Sequence, residues 1–148
     1  MTKDVLITIR GVHTLDHEDN DVEMIVRGDY YQKNGKHYIL YEEILEGAEE
    51  RVKNVIKISP SSMDIIKKGV TNSRMLFEKN KKNSTYYRTP YGQMLLDVNT
   101  RELEIQVTED EIDVRIEYEL DVNHEPMADC RIKMNIMSRS NGSFSVLG

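Results

Sequence analysis

Apolar and charged residues alternate without a break between Glu111 and Val122. Neighbouring side chains of a β-strand point to opposite faces of the sheet, so this pattern predicts a strand with one buried face and one face in water. A helix would spread the same charges around its axis. Leu103–Val107 repeats the alternation, and Glu109-Asp110 lies between the two segments as a polar turn. The sequence therefore predicts a hairpin here.

The same two-residue period recurs along most of the chain. Further strands are predicted at Val5–Ile9, Val22–Tyr30, Arg51–Ile58, Met63–Val70, Arg74–Phe77, Met94–Val98 and Ile132–Ile136. A polar loop is predicted at Asp16–Asn20. A second polar turn is predicted at Asn99–Arg101, directly after the strand Met94–Val98. Helical alternatives at Glu42–Val52 and after Ser61 are too short to outweigh the strands.

Asn34-Gly35 is the strongest turn signal in the sequence, because both residues tolerate the positive φ of a type I′ hairpin turn. A strand returns after this turn. One of its faces carries Ile39, Tyr41 and Glu43, and the other carries Tyr38, Leu40 and Glu42. The pattern alone leaves open which face is the inner one.

Many short strands joined by polar turns, without crossover helices, predict an all-β protein built as an antiparallel up-and-down meander. We expect one domain over residues 1–148. A long sheet of this kind would expose two unpaired edges, so closure into a barrel of roughly eight to ten strands is favoured.

Composition narrows the possible partners. The chain has 148 residues, of which 39% are hydrophobic, and a formal net charge of −6. This acidic balance disfavours nucleic acids and anionic membranes as partners.

No apolar stretch is long enough to span a membrane, and no secretory signal opens the chain, so we expect a cytoplasmic protein. The single cysteine, Cys130, cannot form an internal disulfide.

Several short pieces occur in a characteristic order. They are Gly28-x-Tyr30, Tyr41-x-Glu43, Gly69, Met75-x-Phe77 and Tyr87-x-Thr89-Pro90-x-Gly92. In this order and spacing, the chain from Val5 to about Ile136 resembles the YwiB-like family of uncharacterised bacterial proteins. The resemblance implies a calycin-type, lipocalin-like β-barrel. It implies no function, because that family has no established activity.

Tyr41 and Glu43 share one face of their predicted strand. If that face is inner, Glu43 is desolvated and needs a basic partner, for which the sequence offers Lys67, Arg74 and Arg88. The predicted ligand-binding cluster of the barrel interior comprises Tyr41, Glu43, Tyr87, Arg88 and Tyr118. The alternative is that these side chains form a structural hydrogen-bond network or a salt bridge at the rim.

Two other clusters carry candidate chemistry. His13 and His17, with Asp16 and Asp19, are residue types that bind metals, but the segment has the character of a solvated acidic loop, so we predict no metal and no cofactor. A second cluster combines basic and aromatic residues, as single-stranded nucleic-acid sites do. It contains Lys79, Lys81, Lys82, Tyr86, Tyr87, Arg88 and Tyr91. Its acidic surroundings favour a solvated hairpin tip instead, and we expect no nucleic-acid binding.

The motifs of common enzymes are absent, including the nucleophile elbow, the phosphate loop, the dinucleotide fingerprint and His-Glu-x-x-His. The sequence therefore favours a non-enzymatic barrel that binds a small, partly apolar ligand in its interior. One alternative is a side-chain-filled barrel that mediates protein interaction or homodimerisation. Another is an enzyme that uses Glu43 as a general base.

Overall fold

The computed structural model describes residues 1–15, 18–44, 51–69 and 72–139, which contain ten strands and no helix. The strands are β1 (Asp4–Leu15), β2 (Glu18–Lys33), β3 (Lys36–Ile44), β4 (Arg51–Ser59), β5 (Ser62–Lys68), β6 (Ser73–Glu78), β7 (Lys81–Thr89), β8 (Gly92–Val107), β9 (Glu111–Val122) and β10 (Glu125–Ser138). The predicted all-β class is confirmed.

All ten strands belong to one antiparallel sheet with the order β6-β5-β4-β3-β2-β1-β10-β9-β8-β7. All consecutive strands except β6 and β7 are neighbours, and β1 pairs with β10, so the order is that of an up-and-down meander. The two end strands, β6 and β7, approach each other: the backbone groups of Asn72 and Arg88 exchange hydrogen bonds of 3.0 and 2.9 Å. The sheet is thus nearly closed into a barrel, and we call the β6–β7 boundary the seam.

The predicted hairpin at Asn34-Gly35 is confirmed. Asn34 has a φ of 53° and Gly35 a φ of 74°, and β2 and β3 pair directly on either side of them. Positive φ at both central residues is the condition for a tight turn that matches the twist of its strands. The predicted pairing of the Leu103 segment with β9 is also confirmed.

The turn predicted at Asn99–Arg101 is wrong, because β8 runs unbroken through these residues. The register with β9 shifts between Thr100 and Glu102, which makes Arg101 the extra residue of a β-bulge. A bulge moves the inward-facing positions from even to odd numbers within one strand. In the sequence, this change of phase looks like two strands separated by a turn.

The polar loop predicted at Asp16–Asn20 is wrong in extent. β2 begins at Glu18, and Asp19 pairs with Thr14, whose hydroxyl donates a 2.8 Å hydrogen bond to the Asp19 carboxylate. Pairing with β1 outweighs the low strand propensity of these polar residues.

Of the candidate metal ligands in this region, Asp16 and His17 lie outside the described residues. His13 lies in β1 rather than in a loop, with its Nδ1 3.7 Å from the Sγ of buried Cys130.

Neither helical alternative matches the structure where it is described. Glu42 and Ile44 belong to β3, Arg51 begins β4, and Ser62 begins β5, so the described residues of both segments are extended. Residues 45–50 lie outside the described part of the chain. Cross-strand pairing of the apolar residues on both sides explains why these segments are strands despite good helix formers.

Ile39 and Tyr41 are buried, which identifies the Ile39–Tyr41–Glu43 face of β3 as the inner one. Side chains from both halves of the sheet fill the interior. The buried cluster consists of Val5, Ile7, Tyr30, Ile39, Tyr41, Ile56, Ile58, Met63, Phe77, Val98, Ile112, Val114, Ile116, Tyr118, Cys130, Met134 and Ile136. Phe77 and Tyr118 meet edge to face with their ring centres 5.0 Å apart. Burial of this apolar area is the main force that stabilises the barrel.

Stability is expected to fall as the pH drops below about 6.5, partly through His37. Its Nδ1 lies 2.6 Å from the Tyr30 hydroxyl, and burial, together with the N-terminal amine, lowers its pKa. The unfolded chain then binds this proton more readily than the folded one, so stability rises with pH through the window between the two pKa values. Thermal melts between pH 8 and pH 5 should show this slope. His37→Gln should flatten it.

Candidate functional site

A row of polar side chains crosses the inner face of the barrel at one level. Tyr41, Asn54, Lys67 and Ser73 are successive cross-strand partners on β3, β4, β5 and β6. We call these four residues the polar row. Each occupies an inward position of its strand, where the neighbouring inward positions are mostly apolar. Polar groups inside a core are unusual and indicate either a hydrogen-bond network or a binding site.

Glu43 lies next to this row and has the basic partner that an inward carboxylate requires. The Lys67 ammonium donates a 2.9 Å hydrogen bond to Glu43 Oε1, and both side chains are partly exposed. Arg74, another candidate partner, instead binds both oxygens of Asp64 on the outer face. The Glu43–Lys67 pair is therefore neutral as a unit.

The Tyr41 hydroxyl has no hydrogen-bond partner among the described residues, although its side chain is buried. Burial, and secondarily the charge of Glu43, raise its pKa well above the usual range. The phenol is consequently neutral at physiological pH and free to donate or accept one hydrogen bond.

Asn54 is 1% exposed, and its amide is only half satisfied. Its Nδ2 donates to the Val52 carbonyl at 3.3 Å, whereas its Oδ1 accepts no hydrogen bond in the described part of the chain. A buried acceptor without a partner costs about 1–3 kcal/mol. A hydrogen-bond donor that reached this oxygen would remove that cost.

A cleft of about 870 Å³ opens where β2 and β3 part. The two strands pair only between Asp29–Lys33 and Lys36–Leu40, and beyond Leu40 they diverge. Tyr41 and Asn54 belong to the lining of this β2–β3 cleft, together with Gly28. The other lining residues are Asp4, Arg27, Asp29, Leu40, Glu42, Lys53, Val55, Lys68 and Arg139. The cleft thus leads from the outer surface to the polar row.

Gly28 has a steric reason to be glycine at the point where the strands part. A Cβ atom there would lie 2.7 Å from Ile7 Cδ1 and 2.7 Å from the Leu40 carbonyl oxygen. The backbone of β2 can approach β3 this closely only without a side chain. This explains the glycine of the Gly28-x-Tyr30 piece.

A second, smaller cleft of about 370 Å³ lies at the seam. Its lining residues are Ile66, Lys67, Lys68, Asn72, Ser73, Arg74, Thr85, Tyr86 and Arg88. Lys67 and Ser73 come from the polar row, so the seam cleft meets the row at the end opposite to Tyr41. Lys68 lines both clefts.

The structure brings together only part of the predicted cluster. Tyr41 and Glu43 are near neighbours on the inner face of β3, and half-buried Tyr87 points inward from β7 across the seam. Arg88 follows Tyr87 and points outward into solvent. Tyr118 lies in the closed core, where its hydroxyl contacts Cys130 and burial raises its pKa. Tyr118 thus belongs to the same buried cluster as Tyr41, whereas Arg88 points away from it.

Asn54 and Ser73 were not predicted from the sequence as site residues. Asn54 offered a signal, because it is the polar exception in the inward series Val52, Asn54, Ile56, Ile58. Ser73 offered none, since its inward direction follows from pairing with Lys67 across β5 and β6.

The basic residues of the β6–β7 hairpin are occupied by carboxylates. Lys79 lies 3.4 Å from Glu102, and Lys81 lies 3.5 Å from Glu78. Lys82 lies 3.9 Å from the Asp97 carboxylate. Tyr86 and Tyr91 are exposed. That the protein does not bind nucleic acid stays a prediction, and these contacts are consistent with it.

Within the ranges described above, no group of three or more histidine, cysteine or acidic side chains is arranged to hold a metal ion. The same ranges contain no helix long and apolar enough to cross a membrane.

Comparison with known proteins agrees with this architecture. The chain is 23% identical over 127 residues to the uncharacterized beta-barrel protein YwiB of Bacillus subtilis (strain 168), an alignment that covers 84% of this chain and 88% of YwiB. Its structure is similar to the crystal structure of the Bacillus subtilis ywiB protein, with a TM-score of 0.83 over 93% of each chain and 18% identity. The family resemblance predicted from the sequence is confirmed. Residues 7–134 match the domain of unknown function DUF1934, and the chain belongs to this family.

Proposed function

We propose that this protein is a non-enzymatic, cytoplasmic β-barrel protein that binds a small, partly apolar molecule in the β2–β3 cleft. The observation that carries the proposal is that Asn54, whose buried amide oxygen has no hydrogen-bond partner among the described residues, belongs to the lining of this cleft. The cleft volume of about 870 Å³ falls within the range of small-molecule sites, about 300–1,000 Å³.

The lining residues suggest the chemistry of the ligand. An N–H or O–H group of the ligand would donate to Asn54 Oδ1 and form a second hydrogen bond with the Tyr41 hydroxyl. Leu40 and Val55 supply apolar contact at the wall. The ligand would then supply the hydrogen bond that the Asn54 oxygen lacks in the free protein. The free-energy cost of leaving this oxygen unpaired would be removed on binding and would add to the affinity.

The packed core supports a ligand at the edge of the barrel interior rather than in a central lumen. Phe77, Met63 and Ile56 are fully buried, and the hydrophobic cluster spans the barrel between the two halves of the sheet. The ligand would enter from the side through the β2–β3 cleft, with its polar group leading.

The environment of Glu43 favours a binding protein over an enzyme that uses Glu43 as a general base. Its Oε1 already accepts the hydrogen bond from Lys67, and the polar row contains no histidine or cysteine that could act as a nucleophile or a proton carrier. Glu43 and Lys67 instead neutralise each other beside the row.

Anilinonaphthalene sulfonate is a suitable probe, because it combines aromatic rings with an N–H donor and an anionic group. We expect Asn54→Leu to weaken probe binding about tenfold, the equivalent of one hydrogen bond of about 1.4 kcal/mol. The same change should raise the melting temperature, since it removes an unpaired buried acceptor. Tyr41→Phe should also weaken binding, and should leave stability within about 0.5 kcal/mol. Fluorescence titration and thermal unfolding measure both quantities.

Tyr118→Phe is the matched control, because it removes a buried phenol hydroxyl outside the cleft. It should lower stability by about 1 kcal/mol through the lost contact with Cys130, and should leave probe affinity unchanged. Equal affinity of the wild-type, Asn54→Leu and Tyr41→Phe proteins would contradict the proposal.

A further inference from the structure

Three adjacent strands carry apolar side chains on their outer as well as their inner face. Leu40, Val55 and Ile66 are direct cross-strand partners on the outer side of β3, β4 and β5, and we call them the outer strip. They are half-buried. The outer face of an antiparallel sheet is normally polar where it meets water. An apolar row there indicates a surface that another molecule covers.

Cations outnumber carboxylates around the outer strip. Of the neighbouring carboxylates, Glu42 pairs with Arg51 and Asp64 with Arg74, whereas Asp29 lies opposite Leu40. Lys53 and Lys68 are cross-strand partners along one side of it, Lys57 lies on the other side, and Arg27 and Arg88 lie at its two ends. In the part of the chain that the structure describes, none of these five residues forms a salt bridge with a carboxylate. The whole chain nevertheless has a net charge of −6.

The acidic residues concentrate on the opposite wall of the barrel. The outward positions of β8 and β9 include Glu102, Glu104, Glu117, Glu119 and Asp121. The protein surface is therefore divided into a basic, partly apolar wall and an acidic wall. A basic wall on an acidic protein favours a negatively charged partner at that wall.

The dimensions of the basic wall favour an extended partner. The β2–β3 cleft and the seam cleft meet at Lys68 and together reach from Arg27 on β2 to Arg88 on β7. Five spacings of about 4.8 Å separate these strands, a span of about 24 Å. A peptide of about seven residues in extended conformation covers this length, at about 3.3 Å per residue.

We propose that the outer strip binds an extended acidic segment of a partner protein, in which acidic and apolar side chains alternate. The apolar side chains would contact Leu40, Val55 and Ile66, and the carboxylates would pair with the flanking lysines and Arg88. The outer strip shares Leu40 and Val55 with the lining of the β2–β3 cleft. The proposed small-molecule site differs from it by the inward-facing Tyr41 and Asn54, which the peptide would not contact.

The aromatic residues of this wall are poorly placed for nucleic acid. Tyr31 and Tyr38 stack on each other with ring centres 4.8 Å apart, and Lys57 covers Tyr38 at 5.8 Å. Both contacts take up ring faces of Tyr38, and the stack takes up one face of Tyr31, whereas single-stranded nucleic acids bind to open ring faces. Tyr86 of the seam cleft is exposed.

The test is fluorescence anisotropy with a labelled synthetic peptide of about eight residues in which Glu and Leu alternate. Matched peptides replace Glu by Lys or Leu by Ser. We expect the Glu-Leu peptide to bind, the Glu-Ser peptide to bind at least about tenfold more weakly, and the Lys-Leu peptide not to bind. Lys53→Glu and Arg88→Glu should each weaken binding about tenfold. Lys133→Glu, an exposed charge reversal on β10, should change it less than about twofold.

Each other outcome overturns the proposal. Absence of Glu-Leu peptide binding, or equal binding of the Glu-Leu and Lys-Leu peptides, excludes the acidic segment. Tighter binding of a single-stranded RNA oligomer or of phosphatidylserine vesicles, lost in Arg88→Glu, would assign the wall to those partners. Self-association that Arg88→Glu abolishes would assign it to a second copy. Asn54→Leu separates the two sites, because it should weaken the anilinonaphthalene sulfonate probe and spare the peptide.

Discussion

Replacing Ile116 by aspartate is expected to unfold the protein. Ile116 is 1% exposed in the middle of β9, between Leu103 on β8 and Ile132 on β10. A carboxylate in this position would be buried without a partner, which costs several kcal/mol, against a total stability of about 5–15 kcal/mol for a domain. Circular dichroism and thermal unfolding should show loss of the cooperative transition.

Glu117→Lys is the control, because Glu117 is the next residue and points outward from the same strand. Its cross-strand neighbours are Glu102 and Arg131, so the new ammonium group is attracted by one and repelled by the other. The free energy of unfolding should therefore change by no more than about 0.5 kcal/mol. Equal melting temperatures for Ile116→Asp and Glu117→Lys would contradict the assignment of the inner and outer faces of β9.

Gly28→Ala is expected to destabilise the protein by about 1–3 kcal/mol, as overpacking in a close-packed core does. The added Cβ would approach Ile7 Cδ1 and the Leu40 carbonyl to 2.7 Å. The isoleucine side chain can move, but the carbonyl belongs to the β3 backbone where the strands part. The new atom should therefore shift β3 and change the β2–β3 cleft. Denaturant unfolding measures the loss of stability, and titration with anilinonaphthalene sulfonate measures the change in the cleft.

Gly11→Ala makes the same chemical change on the neighbouring strand β1. Its nearest neighbour, His13 Nε2, would lie 3.6 Å from the added Cβ, which is an ordinary contact. We expect this variant to be as stable as the wild type or slightly more stable, because alanine restricts the unfolded chain. A Gly28→Ala protein as stable as Gly11→Ala would show that the strands do not meet as closely as described.

Most strands could be predicted from local pattern alone. In β9 the alternation of Ile112–Val122 with charges identifies both the strand and its buried face, since each side chain's direction follows from its parity. Asn34-Gly35 identifies the first hairpin turn because few residues accept positive φ at both positions. These features depend on neighbouring residues only.

Features that involve pairing between strands could not be predicted in this way. The bulge at Arg101 shifts the phase of β8, and a sequence pattern cannot distinguish a shift within a strand from a turn between two strands. The polar residues Asp19 and Asn20 join β2 only because β1 pairs with them. Likewise, β3 carries apolar residues on both faces, so its inner face became evident only from the burial of Ile39.

For the candidate site, the alternation along β3 predicts that Tyr41 and Glu43 share a face and that an inward Glu43 requires a basic partner. The pairing of the strands in the structure shows that this partner is Lys67, that Asn54 completes the row, and that Arg88 points outward. The physical reason is that parity along one strand sets the direction of a side chain, whereas the register between strands sets its neighbours. Register depends on the packing of the whole sheet, which no local pattern contains.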